Sequence, residues 1–130
     1  MLESIAQNIL QRSQEIARRE GYNVCISIVD ASALPVAFFR MEDTIPGAID
    51  IAVKKARTAA LFRTDSVLLG EQARPGGSTY TLEATNDGLI GFAGGVVIYD
   101  ESGKVIGGLG ISGAPSEVDQ VIALEATGRA

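Results

Sequence analysis

The first twenty residues combine apolar and polar positions with the period of an α-helix. Apolar or small side chains recur every three to four positions, at Leu2, Ile5, Ile9, Ser13 and Ile16. Gly21 follows at the place where the C-terminal cap of such a helix belongs. The pattern predicts an amphipathic helix over residues 2–20 with one face directed at a core.

The period changes after Gly21 and predicts strands. NVCISIVD is rich in β-branched residues, ASALP is a turn, and PVAFFRM continues as a second strand, so we expect a β-hairpin over residues 23–41. AIDIAVKKARTAALFR, residues 48–63, returns to helical spacing. It carries small side chains on one i, i+4 stripe, at Ala48, Ala52, Ala56 and Ala60. Such a stripe lets a helix approach a sheet or another helix closely.

The second half of the chain predicts a short helix, further strands and a final helix. TDSVLLGEQA is typical of a helix capped by Asp65 or Ser66, and RPGGSTYTLEATNDG is typical of a polar connection with a short strand inside it. LIGFAGGVVIYD and KVIGGLGIS are predicted strands joined by a turn at Gly103, and APSEVDQVIALEATG is a predicted helix that ends at Gly128.

The order of these elements indicates the fold class. The order α-β-β-α-α-β-β-β-α, with short hairpin connections, indicates an α+β fold in which helices cover an antiparallel sheet of about five strands. A length of 130 residues is close to the usual size of one domain, so we expect a single domain over residues 1–130.

The last two predicted strands contain a patch without side chains. Its members are Gly91, Gly94 and Gly95 on one strand and Gly107, Gly108 and Gly110 on the other. Gly108-x-Gly110-x-x-Gly113 also matches the letters of a dinucleotide-binding turn, but only a helix is predicted after Gly113, and that turn needs a further strand. We expect the patch to be the floor of a ligand pocket or a close-packed contact.

Charge and composition exclude several classes of function. A net charge of −5 argues against nucleic-acid and anionic-membrane partners. The absence of histidine excludes histidine-based acid–base catalysis and histidine-ligated metals, and we expect no metal site. Cys25 is the single cysteine, and the N-terminal stretch carries charges throughout, unlike a signal peptide; both favour a cytoplasmic location. No apolar run approaches the roughly 20 residues that a membrane span needs.

Two long stretches resemble a known family. VDASALPVAFFRMEDTIPGAIDIAVKKARTAALF and FAGGVVIYDESGKVIGGLGISGAPSEVDQ are similar to the GlcG/HbpS family, which includes C-terminal domains of the PduO type. The motifs that carry the resemblance are Arg40-Met41, Asp50 with Lys54 or Lys55 and Thr58, Gly94-Gly95, Gly110-x-Ser112-Gly113 and Asp119. The resemblance implies a profilin-like fold, homo-oligomers and, in some members, binding or degradation of haem. Without histidine, axial ligation of a haem iron would fall to Cys25, Met41 or a tyrosine.

Three hypotheses of function remain open at this point. The first is a cytoplasmic small-molecule-binding protein whose pocket lies between the second helix and the glycine-rich strands, with haem, another tetrapyrrole or a small carboxylate as ligand. Its predicted ligand-binding residues are Arg40, Met41, Arg57, Thr58, Gly94, Gly95, Gly110 and Ser112. The second is an isomerase, lyase or hydrolase in which Lys54 and Asp50 are catalytic and arginines clamp an anion. The third is a structural subunit that uses the glycine patch as a subunit contact.

The candidate residues on the second helix also have a simpler explanation. Asp50, Lys54 and Thr58 follow each other at i, i+4 spacing on one helix face, with Arg57 beside them. Asp50 and Lys54 are in the favourable orientation for a helix ion pair, worth about 0.2–0.5 kcal/mol. The face is therefore either solvated or the cationic rim of a pocket.

Overall fold

The elements of the protein follow the predicted order closely. A computed structural model describes residues 2–129. The chain runs through α1 (Leu2–Glu20), β1 (Cys25–Asp30), β2 (Pro35–Arg40), α2 (Ala48–Phe62), α3 (Ser66–Ala73), a 3-10 turn (Leu82–Ala84), β3 (Gly95–Tyr99), β4 (Val105–Ser112) and α4 (Ser116–Ala126). This arrangement confirms the α+β class, the first helix, the hairpin β1–β2 and the turn at Gly103, where φ is 86°.

The sheet has four strands rather than the expected five. The missing strand was predicted inside residues 74–88, where the chain forms only the short 3-10 turn. Thr81, Asn86 and Asp87 have φ values of 74°, 52° and 59°, which lie in the left-handed region and cannot belong to an extended strand. The prediction was wrong because this connection has a strand-like composition in places but no alternation of apolar and polar residues.

The four strands form one antiparallel sheet in the order β2-β1-β4-β3. β1 is therefore paired with its hairpin neighbour on one side and with β4 on the other. Cys25 lies opposite Arg40 on β2 and opposite Ser112 on β4. Gly110 of β4 lies opposite Gly95 of β3. The strands at the two edges are β2 and β3.

Different helices cover the two faces of the sheet. α1 and α4 pack on one face, and the main apolar core lies between them and side chains of β1, β3 and β4: Ile26, Ile28, Val96, Ile98, Leu109 and Ile111. α2 packs on the other face, mainly against β4. Its contacts are made by the predicted alanine stripe, which is buried with Cys25 and Val29 of β1. One face is thus a conventional aliphatic core, and the other is a close backbone contact.

Side chains cover the outer edge of β3. The backbone N–H of Val97 donates to Asp65 Oδ1 at 2.9 Å, and that of Gly95 donates to Ser66 Oγ at 2.9 Å. Arg129 pairs with Asp65 at 2.8 Å and also donates to the carbonyl of Val97 at 3.3 Å. The start of α3 and the end of the described chain therefore satisfy the polar groups of this edge.

Candidate functional site

Three glycines of the predicted patch lie beneath α2 of the same chain, whereas Gly91 precedes β3 and packs against Gly70, and Gly107 packs against the backbone of Val29. A β-carbon on Gly108 would overlap the carbonyl oxygen of Ala56, and one on Gly110 would overlap that of Ala52. A β-carbon on Gly95 would lie 2.5 Å from the carbonyl oxygen of Lys55. The predicted pocket between the second helix and the glycine-rich strands is therefore absent, because the helix backbone already occupies that space. For the same reason this patch is not a subunit contact.

The predicted pair Gly94-Gly95 is held by side chains rather than open to a ligand. Gly94 has a φ of 121°, which only glycine adopts readily, and its N–H donates to Gln120 Oε1 at 2.8 Å. Gly95 lies beneath α2, and its N–H donates to Ser66 Oγ. Both glycines therefore join the start of β3 to α4 and α3.

The helix face of α2 that carries the predicted residues Asp50, Lys54, Arg57 and Thr58 holds a loop in place. Lys54 Nζ is 3.2 Å from Asp50 Oδ2, at an outer position where the Asp50 side chain is 72% exposed. Thr58 Oγ1 donates to the carbonyl of Lys54 at 2.7 Å and accepts the N–H of Ile90 at 3.0 Å. Arg57 donates to the carbonyl of Asn86 at 3.0 Å. These contacts fix residues 86–90 against the helix, and no cavity separates Lys54 from Asp50.

Lys55, the neighbour of Lys54, is a buried cation. Its side chain has no solvent exposure, and Nζ donates to Asp119 Oδ2 at 3.0 Å and to the carbonyl of Ile111 at 2.7 Å. The ring of Phe92 lies 5.0 Å from Nζ. Burial lowers the pKa of Lys55 and raises the pKa of Asp119 to about 6, while the attraction between the two groups opposes both shifts. The pair joins α2, β4 and α4 and has no opening to a ligand.

The predicted residues at the end of the hairpin lie apart from one another. Arg40 is exposed at the end of β2, whereas Met41 is 3% exposed and its Sδ lies 3.5 Å from the N–H of Val24. Ser112 is buried opposite Cys25. Burial raises the pKa of the Cys25 thiol, and the nearby Arg40 partly opposes this shift. Cys25 is fully buried, whereas Met41 lines a cavity on the other side of the hairpin end from the groove of α2, together with Asn23 and Phe39.

An apolar groove runs between α2 and the β1–β2 hairpin. Its volume is about 220 Å³. Its walls are apolar or small side chains and one charged residue: Ser27, Val29, Ala33, Pro35, Ala37, Phe38, Ile49, Val53 and Arg57. Phe38 and Ile49 remain 43% and 39% exposed. Of the predicted ligand-binding residues, this groove includes Arg57 alone.

Phe38, Ile49 and Val53 were not predicted as site residues. One feature of the sequence could have identified them. Phe38 and Phe39 are adjacent in a strand, so their side chains point to opposite faces of the sheet. A strand that is apolar on both faces needs other residues packed against each of them. β2 is covered incompletely, because it is an edge strand.

The part of the chain that the structure describes has neither a metal-binding cluster nor a membrane-spanning helix. Residues 2–129 contain no group of three or more cysteine or acidic side chains arranged to hold a metal ion. Among the same residues, no helix has the length and hydropathy to cross a bilayer.

Comparison with known proteins agrees with the resemblance seen in the sequence. The family model described as "Haem degrading protein HbpS-like" matches residues 2–127. "Corrinoid adenosyltransferase PduO" of Citrobacter freundii is 40% identical over 101 residues, which cover 77% of this chain but 30% of that protein. "Protein GlcG" of Escherichia coli K12 is 32% identical over 110 residues, covering 85% of this chain and 79% of that protein.

A solved structure gives the same result for the fold. The crystal structure titled "PduOC:Heme Complex" has 33% sequence identity and a TM-score of 0.91, with coverage of 98% of this chain and 92% of that one. The chain spans about a third of the length of the PduO proteins that it matches. The similarity to PduO therefore concerns one part of that protein.

Proposed function

The chain belongs to the HbpS-like family, and from this premise we propose that it binds haem or a related tetrapyrrole in the groove between α2 and the β1–β2 hairpin. The observation that carries the proposal is the groove itself, whose walls are apolar and whose lining includes Arg57 as its one charged residue. The structure of a haem complex of a relative with 33% identity supports the choice of ligand class.

The chemistry of the groove suits a flat apolar ligand with a carboxylate. Phe38, Ile49 and Val53 offer apolar contact to a ring system, and Arg57 can form a charge-assisted hydrogen bond with a propionate. Ligand sites usually enclose about 300–1,000 Å³, and this groove of about 220 Å³ is smaller. We therefore expect the groove to hold one side of a tetrapyrrole and to leave the other side uncovered by this chain.

None of the described groove residues is an iron ligand. The walls contain no cysteine, methionine or tyrosine, and both Cys25 and Met41 are buried elsewhere. Redox chemistry would be that of the iron, whereas the chain would contribute apolar contact and the charge of Arg57. We therefore expect affinity to depend on the porphyrin ring and its carboxylates rather than on the metal.

The test is a pair of titrations with haemin and with iron-free protoporphyrin IX, followed by the Soret band and by fluorescence. The two dissociation constants are expected to agree within about threefold. Ile49→Asp is expected to abolish binding of both ligands because it places a carboxylate on the groove wall. Leu68→Asp is the matched control, since Leu68 is 52% exposed on α3 and lies outside the groove.

A second variant tests the contribution of Arg57 to the affinity for both ligands. Arg57→Gln is expected to weaken both ligands about tenfold, which corresponds to the loss of one charged hydrogen bond. Arg12→Gln is its control, because Arg12 also donates to a backbone carbonyl but lies on the opposite face of the sheet. Binding of haemin without protoporphyrin, or binding that survives Ile49→Asp, would overturn the groove proposal.

Three earlier expectations stay predictions. They are the cytoplasmic location, the absence of nucleic-acid and membrane partners, and association into a homo-oligomer. The enzymatic hypothesis with Lys54 and Asp50 also stays a prediction, and the observed contact of these side chains on an outer helix face does not favour it.

A further inference from the structure

A second cavity lies at the end of the β1–β2 hairpin, on the face of the sheet that α1 covers. Its volume is about 390 Å³, which falls within the range of about 300–1,000 Å³ that is usual for small-molecule sites. Its lining includes Phe39, which lies opposite the core residue Ile26 of β1, and residues that face each other across a ladder share a face of the sheet. The cavity and the groove beside α2 therefore lie on opposite faces of the hairpin and share no lining residue.

The least exposed members of the lining are apolar. Met41 is 3% exposed, and its Sδ accepts the N–H of Val24 at 3.5 Å. Phe39 is 39% exposed. A thioether beside an aromatic ring gives polarisable, apolar contact to an aliphatic group of a ligand.

The other members of the lining are polar side chains that the fold does not use. They are Arg18 in the last turn of α1, Asn23 between α1 and β1, and Glu42 and Asp43 after β2. Within residues 2–129, none of these four side chains makes a hydrogen bond or an ion pair. Arg19, by contrast, is held by Glu125 at 2.8 Å. The hydrogen-bonding capacity of all four groups is thus available to a ligand.

Opposite charges therefore line one cavity without pairing with each other. In the described chain, Arg18 forms no ion pair with Glu42 or Asp43, although all three line the same space. A ligand that carries one anionic and one cationic group can pair with both sets of charges at once. The charge pattern of the cavity is complementary to a zwitterion.

The turn that carries the two carboxylates is fixed by its own hydrogen bonds. Thr44 is buried, and its Oγ1 donates to the carbonyl of Met41 at 2.7 Å. The N–H of Met41 donates to the carbonyl of Val24 at 3.1 Å. Asp43 has a φ of 63°, in the left-handed region that aspartate occupies more readily than most residues. Binding therefore requires little ordering of this backbone, which favours affinity.

We propose that this cavity binds an α-amino acid with an apolar side chain. The guanidinium of Arg18 pairs with the carboxylate of the ligand through two parallel N–H donors. Glu42 and Asp43 accept hydrogen bonds from its ammonium group, and the amide of Asn23 can serve either group. The two apolar members of the lining contact the side chain of the amino acid. The site shares no residue with the proposed tetrapyrrole groove and does not depend on it.

The charge pattern predicts discrimination between the amino acid and each of its halves. A carboxylic acid without the ammonium group leaves Glu42 and Asp43 unpaired and is repelled by them. An amine without the carboxylate is repelled in the same way by Arg18. Both halves are therefore expected to bind more weakly than the whole molecule.

The test is calorimetric titration with L-leucine, with 4-methylpentanoate, which lacks the amino group, and with 3-methylbutylamine, which lacks the carboxylate. L-Leucine is expected to bind with a dissociation constant below about 1 mM. Each analogue is expected to bind at least about tenfold more weakly, because it loses a charged hydrogen bond. Absence of leucine binding at about 10 mM, or equal affinity for leucine and either analogue, would overturn the proposal.

Two pairs of variants locate the site. Arg18→Gln is expected to weaken leucine binding at least about tenfold, and Arg74→Gln is its control, because Arg74 is an exposed arginine at the end of α3, outside the cavity. Asp43→Asn is expected to weaken leucine binding about tenfold. Its control is Asp87→Asn, since Asp87 is also exposed and has a φ of 59°. Circular dichroism checks that each variant is folded, and a folded Arg18→Gln variant within about twofold of wild type would contradict the assignment.

Discussion

Replacement of Gly110 by alanine tests the contact between β4 and α2. The added methyl group would overlap the carbonyl oxygen of Ala52 and would lie 2.7 Å from the amide nitrogen of Ala56. Both obstacles are helix backbone atoms, which cannot rotate away as the end of a flexible side chain can. The helix must therefore shift outward along a contact that also involves Gly108 and Gly95.

The magnitude follows from the cost of overpacking. Extra methylenes in a well-packed core cost about 1–3 kcal/mol, and we expect about 3 kcal/mol for Gly110→Ala because backbone must move. Stability of domains of this kind is about 5–15 kcal/mol, so the variant should still fold. With a urea m-value of about 1–3 kcal/mol/M, the unfolding midpoint should fall by about 1–3 M.

The assay is urea denaturation followed by circular dichroism, with Gly47→Ala as control. Gly47 has φ −60° and ψ −22°, a conformation that alanine adopts readily, and no atom would lie within 4 Å of its β-carbon. The same chemical change there should be neutral or stabilising, by up to about 1 kcal/mol. A Gly110→Ala variant within about 0.5 kcal/mol of wild type would refute the close contact.

Two further predictions concern the buried pair. Lys55→Met leaves the carboxylate of Asp119 without its cation and should lower the free energy of unfolding by about 3–5 kcal/mol. Lys54→Met removes only an outer ion pair and should change the free energy of unfolding by less than about 0.5 kcal/mol. Equal effects of the two variants in urea denaturation would contradict the conclusion that Lys55 is the buried cation. Burial raises the folded-state pKa of Asp119 from 3.8 to about 6. The folded protein therefore binds this proton more tightly than the unfolded chain, and the contribution to stability is complete below about pH 4 and is lost as the pH rises through 6. The advantage of wild type over Asp119→Asn should fall by up to about 3 kcal/mol between these values, and an advantage independent of pH would exclude a raised pKa.

Much of the fold could be predicted because its elements repeat with a clear period. The first helix and the hairpin over 23–41 have regular alternation, and the turn glycine Gly103 is a local requirement. The connection between α3 and β3 could not be predicted, because it is held by contacts with distant residues. Arg57, for example, holds the carbonyl of Asn86.

The position of the candidate site could not be predicted from the sequence, because it depends on which strands are neighbours in the sheet. The alanine stripe and the glycines both indicated close approach, but hairpin prediction alone does not say that β4 lies beside β1 and beneath α2. The choice between Lys54 and Lys55 depends on the rotation of the helix. Lys55 lies three positions after Ala52, so it shares the helix face of the alanine stripe. The spacing in the sequence is therefore enough to predict that Lys55, rather than Lys54, is the buried lysine. The groove depends on β2 being an edge strand.

The central position of β1 has a consequence for the order of folding. β1–β2 and β3–β4 are local hairpins, and each can form without the other. The ladder between β1 and β4 joins Cys25 to Ser112, with α2, α3 and the long connection in between. Closing so large a loop lowers the entropy of the chain before the contacts between β1 and β4 can stabilise the sheet. We therefore expect the meeting of the two hairpins beneath α2 to limit the folding rate.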